Sequence, residues 1–140
     1  MSQGGDPSRI EVLAPAECLE LLKYNSFVGR VGFVVESGRP MVLPVNYLFD
    51  KESIVFCTAP GTKLSHLSHG EPVAFEVDAS RSLYNSGWSV LVRGTAREVT
   101  DARELELLRR GPLRSWGVSP SEHWIRISID EISGRRIPET

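Results

Sequence analysis

The sequence lacks most of the features that announce a function directly. It has two cysteines, Cys18 and Cys57, too few for a disulfide framework and without the spacing of a zinc site, so both are expected to be buried and reduced. Histidine is scarce too, with only His66, His69 and His123. The first two stand at i and i+3, yet no Cys, Asp or Glu joins them at a recognised ligand spacing, and no metal site is expected. No run approaches the ~20 apolar residues that cross a bilayer, and the N-terminal residues have no signal-peptide core, which predicts a soluble, cytoplasmic protein without a membrane partner. An excess of positive charge is also missing: 16 Lys and Arg stand against 18 Asp and Glu, a net charge of -2, which argues against a nucleic-acid partner gripped by a broad basic face. Nor is there a G-x-S-x-G elbow, an H-E-x-x-H pair, a glycine-rich dinucleotide fingerprint or a carboxylate pair at a strand end, so no catalytic side chain is identified.

What is present is strand-rich. A chain of 140 residues is the length of one domain, and Gly, Ser and Pro near the start suggest a flexible tail over 1–9 ahead of a folded domain over 10–140. Pro15 and the apolar Cys18, Leu19, Leu21 and Leu22 predict a helix over about 15–23. "FVGRVGFVVE", then the turn "SGRP", then "MVLPVNYLFD" reads as a strand, a hairpin turn and a returning strand, with Pro44 marking an edge or a bulge because it has no backbone donor. "IVFCT" and "PVAFEVD" are two more strands, and "GWSVLVRGTAREV" is a long one with Gly94 at a bend. In "TDARELELLRRGP", Asp101 and Glu104 resemble a capping box and Gly111-Pro112 stops the helix. The alternation of Ile125, Ile127 and Ile129 makes "HWIRISIDEI" the final strand. Six strands joined mostly as hairpins, with helices at intervals, predict a mainly β, α+β, antiparallel barrel with peripheral helices.

One stretch has a more specific chemistry. "CTAPGTKLSHL" runs from a strand end through a glycine turn into a short helix predicted over about 63–68, an arrangement that suits an anion because unpaired N–H groups and a lysine gather there. The plainer alternative makes Thr62 an ordinary N-cap and Lys63 a solvated surface lysine. A polar strand break at "LPVNY" and a strand carrying Trp88 and Ser89 complete a set that suits a bound cofactor.

The order of these segments, "VGRVGF", "PMVLPVNY", "IVFCTAPGTKL", "VAFEVD" and "WSVLVRGTAREV", resembles the pyridoxamine 5′-phosphate oxidase-like, flavin-binding split-barrel superfamily across about residues 13–132, and in particular its small actinobacterial-type members of unknown substrate. The resemblance implies a six-stranded antiparallel split barrel, a homodimer, and flavin mononucleotide (FMN) in a cleft between subunits, with a deazaflavin or, third, haem as alternatives. It implies an oxidoreductase acting on a small molecule; a non-catalytic carrier or sensor is the other class. Carried over position by position, Lys63 and Thr58 fall on the cofactor phosphate. Val42, Leu43, Pro44, Val45 and Asn46 form the strand beside the ring, where Pro44 is read as a possible bulge shaped for the ring's polar edge. Ser89 faces the ring with Trp88 beside it, Trp88 having core or interface packing as its alternative. Leu64 occupies the position where the oxidase itself has a second basic residue, which implies weaker phosphate binding, and the C-terminal residues do not match the oxidase's substrate-binding ending. The loops over 79–87 and 113–122 are expected to wall the cleft, and Trp124 and Arg126 are weaker candidates, Arg126 having a surface ion pair as its alternative.

Overall fold

The structure, a computed structural model, describes residues 9–24, 28–61, 63–67, 69–81, 86–111 and 122–138. Among the described residues nine strands and two α-helices follow one another as β1 (Glu11–Val12), α1 (Pro15–Tyr24), β2 (Val28–Val34), β3 (Pro40–Asn46), β4 (Leu48–Asp50), β5 (Ser53–Thr58), β6 (His69–Arg81), β7 (Ser86–Glu98), α2 (Ala102–Arg110), β8 (His123–Ser128) and β9 (Glu131–Ile137). Every strand pair is antiparallel, and the sheet runs in the order β3-β2-β6-β7-β8-β5-β4, with β9 added to β7 and β1 to β9. The sheet curls around one core, and its end strands β3 and β4 do not pair with each other. This is the split antiparallel barrel with peripheral helices that the resemblance implied.

The described residues form nine strands and not six because apolar periodicity does not mark where a strand changes partner. The expected strand over 41–50 is two, β3 and β4, broken at Tyr47, and the expected final strand is also two, β8 and β9. The long strand β7 pairs with β9 from Gly87 to Arg93 and with β8 from Ala96 to Glu98. Gly94 sits at that change of partner, as the bend predicted, and a Cβ there would lie 1.7 Å from the carbonyl oxygen of Ser128. Only glycine lets the β8–β9 corner cross so closely. At Pro44 the register with β2 continues without a shift, opposite Arg30, so the residue marks an edge strand and not the bulge considered as its alternative.

Inside the curl, Val31, Ile54, Phe56, Phe75, Val92 and Ile127 are fully buried. The Tyr47 and Phe75 rings meet edge to face with centroids 5.0 Å apart, and the Tyr47 hydroxyl donates to the carbonyl of Leu22 at 2.7 Å, tying α1 to the barrel end. Burial pushes the Tyr47 phenol up to about 12, so it stays a donor. A second, smaller core lies outside the sheet, where α2 covers Val55 of β5 and Trp124 of β8 with Leu108, and Val99 completes it. The helix starts as its sequence dictates: the Asp101 carboxylate accepts from the Glu104 backbone N–H at 3.0 Å, and the Gly111 N–H closes the other end on Leu108. Cys18 is buried on the core-facing side of α1, whereas Cys57 is half-buried at the edge of the second core; neither forms a disulfide.

Candidate functional site

The anion-ready stretch leaves β5 at Thr58, whose side chain is buried at the barrel end with its hydroxyl donating to the Ala59 carbonyl at 3.5 Å. The chain turns at Gly61, where φ is +80°, a value that disfavours any side chain, and continues into a single 3-10 turn over Lys63–His66, shorter than the helix expected over 63–68. Leu64 and Leu67 are buried and pin this turn to the core, which leaves Lys63 exposed. Thr62, the expected cap, lies outside the described residues. Lys63, His66, His69, Glu36 and Glu71 line one cleft of about 560 Å³ together with Val34 at the end of β2. The His69 backbone N–H donates to Glu71 at 2.9 Å, so that carboxylate is partly engaged. The cleft is mixed in charge, with Lys63 on the turn after β5, Glu36 on the β2–β3 turn and Glu71 on β6.

The ring-site residues fall elsewhere, on the outer face of the sheet. Along β3 the even positions Val42, Pro44 and Asn46 turn outward, while Val45 enters the core and Leu43 packs against it. On β7, Ser89 is half-buried and outward, and Trp88 points inward against the core, which is its packing alternative. Ser89 stands opposite Asp78 on β6 and Arg135 on β9. The structure thus puts Val42, Pro44, Asn46 and Ser89 on one face, with β2 and β6 between β3 and β7. Leu43, Val45, Leu64 and Trp88 leave that face and turn their side chains to the interior.

Between them lies a cluster that the sequence reading did not single out. Arg30 of β2 reaches Glu76 at 3.3 Å and Asp78 at 3.5 Å, both on β6. Burial, then hydrogen bonding and repulsion from Asp78, push the Glu76 carboxyl up to about 7 against the opposing pull of Arg30. The signal was available in "FEVD", because alternation along a strand puts Glu76 and Asp78 on one face.

Two weaker candidates have structural employment. Arg126 forks onto Asp50 at 3.1 and 3.2 Å and donates to Ser53 at 2.6 Å, which is the ion-pair reading of that residue. The His123 ring nitrogen lies 2.9 Å from Glu98. Trp124 is buried beneath α2, its indole N–H without a partner among the described residues. Among the described residues no three His, Cys, Asp or Glu side chains are grouped to hold a metal ion. No described helix is long and apolar enough to cross a membrane. The centres of both loops expected to wall the cleft, 82–85 and 112–121, lie outside the described residues, as does 1–8 of the expected tail.

Comparison with known proteins places this architecture. A family model for pyridoxamine 5′-phosphate oxidase matches residues 14–136. The chain therefore belongs to that family. An FAD-binding protein from Mycobacterium smegmatis is 34% identical and superposes with a TM-score of 0.79 over 93% of this chain and 100% of that one. A Corynebacterium diphtheriae protein of unknown function is 28% identical, with a TM-score of 0.74 over 93% of this chain and 99% of that one. An uncharacterized protein of Mycobacterium tuberculosis is 30% identical over 114 residues, 78% of this chain and 74% of its own length. These relatives are actinobacterial, as the sequence resemblance implied.

Proposed function

We propose that this protein is a flavin- or deazaflavin-dependent oxidoreductase that works as a homodimer, with Lys63 holding the cofactor's phosphate. The observation that carries the reading is Lys63 itself, exposed beyond a glycine turn on the rim of a cleft of about 560 Å³, a size suited to a small-molecule site. The fit is local: a phosphate is favoured toward Lys63, and disfavoured toward Glu36 and Glu71. FMN and FAD share the isoalloxazine ring and the ribityl phosphate, so the FAD-binding relative supports a flavin without choosing between the two. When bound, the cofactor would supply the hydride or electron chemistry that no described side chain offers. The protein's part is to anchor the phosphate and to wall the ring.

The homodimer rests on the outer face of the sheet. Val28, Val34, Val42 and Leu91 are large apolar side chains left exposed on β2, β3 and β7. A chain of this size seldom leaves so many on one face unless another surface covers them. Light scattering at micromolar concentration is expected to give twice the chain mass, and a clean monomer would remove the two-subunit cleft.

Titration with FMN, FAD and riboflavin tests the anchor. Lys63→Ala is expected to weaken both phosphate-bearing flavins by about one to two decades, the size of a charge-assisted hydrogen bond, and to leave riboflavin unchanged. Equal losses for all three would make Lys63 a solvated surface lysine. The absorption spectrum then separates the classes: bands of oxidised flavin that bleach with a nicotinamide donor support the oxidoreductase, and a Soret band would replace it with a haem carrier.

A further inference from the structure

Two carboxylates on the outer face share one cation. Glu76 is the cross-strand partner of Arg30, and Asp78 follows two residues later on the same face of β6. One guanidinium nitrogen, Nη1 of Arg30, lies 3.3 Å from Glu76 Oε1 and 3.5 Å from Asp78 Oδ1. Fully ionised, the three side chains carry a net charge of -1; one proton makes them neutral.

The neighbouring strands add little to that balance. On β7, Leu91 stands opposite Glu76 and Ser89 opposite Asp78. On β3, Pro44 stands opposite Arg30. Arg93, one step along β7, already meets Glu131 of β9 at 3.6 Å, and Arg135 of β9 stands opposite Ser89, one strand farther from Asp78. Apolar Val28, Val42 and Leu91 are exposed on this same face. Burial and Asp78 together raise the Glu76 carboxyl to about 7 before anything covers it.

We infer that the Arg30–Glu76–Asp78 cluster couples self-association to proton uptake, so that covering this face favours the state in which the two carboxylates hold one proton between them. The inference rests on the homodimer reading. A net charge costs more to bury than a neutral hydrogen-bonded cluster, and Arg30 can neutralise only one carboxylate. In a two-fold interface each copy brings its own cluster, so the effect is doubled. Protons bound more tightly in the dimer than in the monomer strengthen the dimer as pH falls toward 7, an effect complete below the single chain's value of about 7 and lost as pH rises above it.

The test is the dimer dissociation constant of the full chain, measured by analytical ultracentrifugation at pH 6, 7 and 8 and constant ionic strength. The parent is expected to tighten by about tenfold or more from pH 8 to pH 6. Glu76→Gln keeps a donor toward Asp78 and an acceptor for Arg30, imitating the protonated carboxyl, and is expected to hold the parent's pH 6 affinity at every pH. Asp78→Asn, which leaves Glu76 and Arg30 as a simple pair, is expected to flatten the dependence by a second route, with circular dichroism confirming both folds. A parent dimer whose affinity ignores pH overturns the coupling and leaves the homodimer standing. So does one that tightens as pH rises, the result of an arginine from the second copy seating on the acid pair. A parent that is monomeric throughout overturns the homodimer and the coupling with it, and a Glu76→Gln variant with the parent's full pH dependence puts the proton elsewhere.

Discussion

Two halves of the same sheet turn apolar residues outward and meet different surroundings. Over β5 and β8, Val55 and Trp124 are sealed by α2, and Trp124 is only 2% exposed. Over β2 and β3, Val34 and Val42 remain 64% and 66% exposed. The side chains are of the same kind. What differs is the connection: residues 99–122 are long enough to carry a helix back over β5 and β8, whereas the turn over 35–39 that joins β2 to β3 is too short to carry one. An outward apolar residue on a strand is thus core only where its own chain can return to cover it.

Substitutions break or sharpen that contrast. The largest loss is expected inside the curl, where Phe75→Ala removes a fully buried ring packed edge to face on Tyr47; denaturant unfolding should show a loss of about 3–5 kcal/mol. Leu108→Ala is expected to cost about 2–5 kcal/mol by opening the core beneath α2. A loss below about 1 kcal/mol would mean that α2 is a loose cover and that the two outer halves are alike. The smallest effect on folding belongs to Val42→Asp, within about 0.5 kcal/mol, because its side chain has no cover in the single chain. The same variant is expected to lose self-association in light scattering. If it instead unfolds the protein, the bare face is part of the chain's own core.

Much of the fold was legible because alternation and capping are local. Val31 and Phe33 in β2 and Val90 and Val92 in β7 face the interior as period-two spacing requires. Asp101 caps α2 because the required acceptor and N–H lie three residues apart in the chain. The strand count was not legible, since the breaks at Tyr47 and after Ser128 fall where partners change and leave the apolar pattern intact. The turn carrying Lys63 was found from its glycine and lysine. The cleft beside it was not, because its walls at Glu36 and Glu71 come from the β2–β3 turn and the start of β6.

By itself the sequence determined which residues form strands and which faces they bury, where α2 starts and stops, and that a lysine follows a glycine turn at the end of a strand, since each depends on neighbours within a few positions. Tertiary structure alone decided that β7 serves two partners across Gly94, that α2 covers one outer half and leaves the other bare, and that Arg30 is shared by Glu76 and Asp78. Those outcomes depend on which distant strands pair and in what register. Forty-six residues separate Arg30 from Glu76, and only the closing of the sheet brings one guanidinium to both carboxylates.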